Sequence, residues 1–398
     1  MARRLTALIV LWTLAACDGP AGVTTDAGAT DAGATDAGAP DAGAPPDDGW
    51  EVGAPEDHGM DPTALEALRE YAFAEERNTQ AVVVVRHGVI VAEWYAPMRD
   101  AASYAASWSV GKSVASALIG IAIDEGLIDG VDVPLTDYYP SWVGTEREGI
   151  TLRHVLHQST GLQWDETYDV DARDRSDIIQ LVLLETSQLD YVLDRPRAVE
   201  PDAVFNYSSG NSLLLSGILE QATGAPAHEY AQSRLFEPLG IDGAQWWRDS
   251  TGTTLTYCCV DMRTRDFARF GQLFLDRGAH DGEQLVPEAW IDESLAPSPA
   301  YGGYGYQWWL DGNVDPSLPA DAYAAHGHDG QHVLVVPSLD LVVVRSGLYY
   351  KHRGDPVADP SLFARYPSSG IVPNRGTIGA EGWSSEELLR LAVASIVD

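Results

Sequence analysis

The sequence predicts an α/β protein of the α+β kind: a mostly antiparallel sheet flanked by helices, with a helical subdomain inserted between the segments that build the sheet. Three observations predict it. Strand signals cluster toward the two ends of the globular region, over 80–86 and 89–95 and again over 306–310, 332–337 and 339–345. Between about 130 and 260 the signals are helices and loops. A run over 109–124 is apolar nearly all round, through Val110, Val114, Ala117, Leu118 and Ile121, as a helix buried inside a domain must be. Strands at both ends with helices between them imply one sheet assembled from both ends of the chain.

Taken in order, His87-Gly88 is the turn that joins the first two strands into a hairpin. Gly126 is placed to terminate the 109–124 helix. Helices are expected over 151–158, 176–186, 211–223 and 227–235, then over 266–275 and 287–295. A last helix over 384–397 closes the chain.

The amino-terminal segment reads as an address. Over 1–16, Arg3 and Arg4 precede an apolar stretch too short to span a bilayer, and Leu14-Ala15-Ala16-Cys17 offers a small-residue cleavage site. The pattern resembles a bacterial lipoprotein signal, which implies cleavage before Cys17, lipidation of Cys17 and anchoring to a membrane, periplasmic or at the cell surface. An ordinary secretory signal with a chance cysteine is the rival, and either exports the protein. Residues 17–49 form a tether in which Thr/Pro-Asp-Ala-Gly-Ala repeats four times between Thr25 and Ala44. It holds nothing from which to build a core and is expected to be disordered. Residues 50–398 have the composition of one large globular domain, with the helical insert at about 130–260.

A net charge of −34 argues against nucleic acid or anionic lipid as partner. Cys258 and Cys259 are adjacent, with alpha carbons closer than an ordinary disulfide prefers, so two small buried thiols are expected over a strained vicinal disulfide. No Cys/His spacing suggests a zinc site, and His326 and His328 lack further ligands. No metal or cofactor is expected.

Lysine is scarce: Lys112 and Lys351 stand against twenty-three arginines. Arginine keeps its proton in a protein, whereas a buried lysine can lose it and act as a base. Lys112 follows Ser109 by three residues at the head of the buried helix, so the two share a face. There the serine oxygen lies beside free backbone N–H groups able to stabilise an oxyanion. A second signal is Phe205-Asn206-Tyr207-Ser208-Ser209-Gly210-Asn211: either a capping loop, with Ser209 or Asn211 as cap, or a loop delivering Tyr207 as a proton shuttle. A third is Ala325-His326-Gly327-His328-Asp329-Gly330-Gln331, a strand-entry turn or a place where glycine lets backbone approach a ligand. Trp164, Trp308 and Trp309 are candidate pocket walls.

In this order the three signals resemble the serine β-lactamase and penicillin-binding-protein superfamily, on its class C-related side. Ser109-Val110-Gly111-Lys112 matches its nucleophile motif and Tyr207 the tyrosine of its second motif. The stretches 150–162 and 265–271 also resemble family segments. Gln163-Trp164-Asp165-Glu166, Tyr207 with Ser209-Gly210-Asn211, and Gly327 with Gly330-Gln331 are most similar to the 6-aminohexanoate-dimer-hydrolase-like and esterase branch. The resemblance implies a β-lactamase/transpeptidase-like fold and a serine hydrolase of esters or small amides acting through an acyl-enzyme on Ser109. Lys112 and Tyr207 would handle its proton, and which is the base stays open. The N–H groups of Ser109 and His326 would form the oxyanion hole, with Gly327, Ser209 and Asn211 near the substrate. Two positions depart from the pattern. Ser209 stands where the family usually carries asparagine, and the Lys-Thr-Gly lysine that binds a β-lactam carboxylate is missing. His326, mostly neutral at pH 7, is a poor substitute, so weak activity on penicillins is expected. The alternatives are a weakly catalytic or non-catalytic binder of cell-wall ligands and an acyltransferase. An α/β-hydrolase triad is disfavoured because no Gly-x-Ser-x-Gly occurs.

Overall fold

The computed structural model describes residues 49–74, 77–97, 99–168, 174–347 and 383–397. The 1–16 leader, Cys17, the repeat tether up to residue 48 and Lys351 lie outside the described residues. No helix among those described is long and apolar enough to cross a membrane.

The expected hairpin is present as β1 (Thr79–Arg86) and β2 (Val89–Tyr95). Farther along, β3 (Tyr104–Ala106), β4 (Gln245–Trp246) and β5 (Val260–Arg263) make a small sheet in the order β3-β5-β4, and β6 (Ala279–His280) pairs with β7 (Glu283–Gln284). The main sheet is completed by β8 (Tyr323–Gly327), β9 (Gln331–Val336) and β10 (Leu341–Gly347). Its order is β2-β1-β10-β9-β8, antiparallel at every pair, so both ends of the domain do build one sheet.

Successive side chains of a strand point to opposite faces, and here both faces are covered. Val83, Val85, Val333, Val335, Val342 and Val344 join the core shared with α2 (Val110–Asp124) and the helical insert. Val82, Val84, Leu334, Val336, Leu341 and Val343 face the other way, onto Leu65 and Leu68 and onto Leu388 and Leu389. These belong to two terminal helices. One is α1 (Pro62–Ala72), capped by the Asp61 carboxylate on the Thr63 N–H; the other is the last helix, Ser385–Ala394. Covering on both sides is why these strands read as unbroken aliphatic runs.

The insert supplies α3 (Leu152–Leu156), α4 (Asp177–Val182), α5 (Gln188–Leu193), α6 (Ser209–Thr223) and α7 (Ala227–Ala231). After it come α8 (Thr264–Leu275), α9 (Glu288–Ser294), a short α10 (Asp311–Val314) and the last helix, α11.

Two expectations near the sheet edge are corrected. Residues 306–310 form no strand: Gln307 takes φ 63°, in the left-handed region, and turns the chain, leaving Trp309 alone to bridge to Ala324. The true edge strand is β8, whose Tyr-Ala-Ala-His-Gly lacks the branched residues that signal a strand.

Candidate active site

Two helix amino termini converge to make the site. Ser109 is the N-cap of α2 but spends no side-chain hydrogen bond on capping. The turn before it is fixed from β5: the Val260 N–H donates to Ser107 Oγ (2.7 Å), the Ser107 N–H donates to the Val260 carbonyl (2.8 Å), and the Cys259 N–H donates to the Trp108 carbonyl (3.2 Å). Trp108 sits at φ 44°, an uncommon left-handed conformation for a bulky residue, and these bonds hold it there. On α6 the capping role falls to Ser208, whose Oγ accepts from the Asn211 N–H (3.0 Å). Ser209 is thereby released to face α2.

Lys112, one turn into α2, is 1% exposed and meets three oxygens. Its Nζ lies 3.0 Å from Ser109 Oγ, 3.1 Å from Ser209 Oγ and 2.8 Å from the Tyr257 carbonyl. Burial pulls its pKa down to about 8, and the negative charge of Glu166 partly opposes that fall. The Tyr207 ring lies 4.8 Å from Lys112 Nζ. Burial pushes the Tyr207 phenol above its ordinary value, partly offset by a hydrogen bond with Ser109.

Glu166 closes the network from the loop after α3. Its carboxylate accepts from the Ser209 hydroxyl (2.5 Å), the Ser209 N–H (2.9 Å), the Tyr168 hydroxyl (2.7 Å) and the Trp164 indole N–H.

Across from Ser109 lies the edge of the main sheet. Ala324 exchanges N–H and carbonyl bonds with Trp309, at 2.8 and 2.9 Å. Two residues on, by the same alternation, the His326 N–H points to the open side of β8. Gly327 is pressed against the turn that carries Ser107 and Ser109. A Cβ there would lie 2.4 Å from the Ser107 carbonyl and 3.2 Å from the Ser109 nitrogen, so only glycine allows this approach. The His326 imidazole is tied away, with Nε2 2.9 Å from Asp311 Oδ2 and Nδ1 2.8 Å from His332 Nδ1.

Not every candidate faces the site. Asn211 is buried, its Oδ1 taking the Thr160 hydroxyl (2.8 Å) and its Nδ2 donating to Gln158 (3.1 Å), so it braces the loop. Trp308 is fully buried among Phe270, Phe274 and Tyr323, with ring centroids 4.4–5.7 Å apart, and is core. Trp164 packs behind α6 and holds Glu166, a bracing position and not a pocket wall. Trp309 does border the site, 5.4 Å from the Tyr207 ring and 6.1 Å from that of His326. Cys258 and Cys259 are joined in a disulfide, against the expectation of two thiols. Cys259 takes φ 74°, and its N–H bond to Trp108 together with the Trp246 indole bond to the Cys258 carbonyl (2.7 Å) hold the pair.

The chain is 28% identical over 291 residues, 68% of its length and 73% of the other's, to a 6-aminohexanoate-dimer hydrolase of Paenarthrobacter ureafaciens. A Bacillus anthracis protein provisionally described as a 6-aminohexanoate-dimer hydrolase shares the fold at TM-score 0.60, with 23% identity over 71% of this chain and 75% of that one. A family VIII carboxylesterase shares it at TM-score 0.54, with 13% identity over 77% and 97% of the two chains. Residues 65–346 match the beta-lactamase family, and the chain belongs to it.

Proposed function

We propose that the protein is an exported serine hydrolase that cleaves ester or small amide bonds through an acyl-enzyme on Ser109. The observation that carries the reading is Lys112: buried, 3.0 Å from a serine hydroxyl that caps nothing, and drawn to a pKa of about 8. At that value a usable fraction is neutral at physiological pH, whereas Tyr207, pushed upward by burial, keeps its proton. Neutral Lys112 takes the Ser109 proton as Oγ attacks the carbonyl carbon. The resulting oxyanion rests on the N–H groups of Ser109 and His326. On collapse, Tyr207 gives its proton to the leaving group and recovers one from Lys112. Water then releases the acyl group by the same proton path in reverse.

Export and a membrane anchor at Cys17 rest on the lipoprotein-like leader and the repeat that follows it. Weak penicillin turnover rests on the missing lysine: at the sheet edge stands His326, its ring committed to Asp311 and His332. One absent charge-assisted hydrogen bond is worth roughly 1.5–3 kcal/mol, about 10–100-fold. A panel of p-nitrophenyl esters, short linear amides and a penicillin, assayed with wild type and Ser109→Ala, tests the reading. Ester or amide turnover lost in Ser109→Ala, with the penicillin slower, supports it. Penicillin turnover faster than either overturns the substrate assignment.

A further inference from the structure

To act as the base, Lys112 must be aimed as well as neutral. A neutral amine has two hydrogens and one lone pair, and only the lone pair can take the Ser109 proton. The Tyr257 carbonyl, 2.8 Å away, can only accept, so it fixes one hydrogen. Ser209 Oγ, 3.1 Å away, could either accept from Lys112 or donate to it. If it donated, the lone pair would be consumed and the base silenced.

Glu166 removes that choice. The Ser209 hydroxyl lies 2.5 Å from Glu166 Oε1, and the Ser209 N–H lies 2.9 Å from Oε2, so the carboxylate grips Ser209 at both atoms. An ionised carboxylate accepts only, so the Ser209 hydrogen is committed to it and the Ser209 oxygen must accept from Lys112. With both amine hydrogens assigned, the third direction is Ser109 Oγ at 3.0 Å. We infer that Glu166 is a positioning residue that, through Ser209, aims the Lys112 lone pair at Ser109. The inference deepens the proposed function and rests on it.

The groups facing Lys112 are Ser109, Ser209, Tyr207, Tyr257 and Glu166; behind them Tyr168 and Trp164 hold Glu166, Tyr304 packs on Tyr207 and His328 stacks on Tyr168. The negative charge of Glu166 acts on Lys112 and favours its protonated form. Removing that charge therefore acts twice: it frees the Ser209 hydroxyl to turn toward Lys112, and it moves the Lys112 titration to lower pH.

The test is kcat and KM against pH, with one activated ester and the full chain, for wild type, Ser109→Ala, Glu166→Gln, Glu166→Asp and Ser209→Ala. Glu166→Gln is expected to lower kcat about 10–100-fold with KM unchanged, part of what a well-aimed base contributes. Its rising limb should move to lower pH, while Glu166→Asp, keeping the charge, leaves the limb in place and recovers part of kcat. A packing defect alone would not move the limb. Glu166→Gln with wild-type kcat and limb, beside an inactive Ser109→Ala, overturns the inference and leaves the proposed function standing. Turnover that survives Ser109→Ala overturns both. If Glu166→Gln melts below the assay temperature, Ser209→Ala decides: loss of kcat at unchanged KM supports the relay, and retained kcat overturns it.

Discussion

At the scale of the residue, the proposed chemistry depends on the contrast between Lys112, which can lose its proton, and arginine, which cannot. Burial lowers the lysine to about 8, and a base must lose its proton to act. Activity should therefore rise with pH, by about tenfold per unit well below 8, and level off above it as Lys112 becomes neutral. A kcat/KM profile over that range checks the sign. Lys112→Arg keeps the positive charge and much of the volume but cannot deprotonate, so turnover is expected to fall roughly 10²–10⁴-fold. An arginine variant near wild-type rate would show that Lys112 serves as a fixed cation.

At the scale of the element, the site is a meeting of the α2 and α6 amino termini with the β8 edge. Gly327 sets how close that edge can come, since a Cβ would strike the Ser107 carbonyl at 2.4 Å. Gly327→Ala is expected to push β8 away from Ser109 and lower kcat on the order of 10²–10³-fold, as losing one oxyanion donor does. Stopped-time acylation assays beside a thermal melt separate that loss from unfolding. Ser109, Lys112 and Tyr207 stand out in the sequence because each lies in a compact local motif near a helix start, and the fold brings the three together. Glu166 could not be assigned a role. It sits in a loop with no periodicity, and its partner Ser209 is distant in sequence, although Trp-x-Glu ahead of Tyr168 was a visible acidic-aromatic cluster. β8 gives little strand signal of its own, since alanine, histidine and glycine are poor strand formers, and 325–331 therefore leaves a strand-entry turn and a close backbone approach equally open.

At the scale of the whole molecule, the architecture follows from aliphatic strands at both ends of the domain with a helical insert between them. That much was legible, because strands buried on both faces leave short β-branched runs such as Ala81–Val85 and Leu341–Val344. What side each tryptophan serves was not, since adjacent Trp308 and Trp309 differ only in which way the chain turns at Gln307. Trp308→Ala, emptying a core position, is expected to cost about 3–5 kcal/mol in urea unfolding while leaving KM near wild type. Trp309→Ala, at the site border, should raise KM with a smaller loss of stability.

The most direct test of the account is intact mass spectrometry after exposure to a fluorophosphonate, with wild type, Ser109→Ala and Lys112→Ala side by side. A single adduct on wild type, absent from Ser109→Ala and formed far more slowly by Lys112→Ala, is the expected result. An adduct that persists in Ser109→Ala would place the nucleophile elsewhere, and no adduct on wild type would contradict an activated serine altogether.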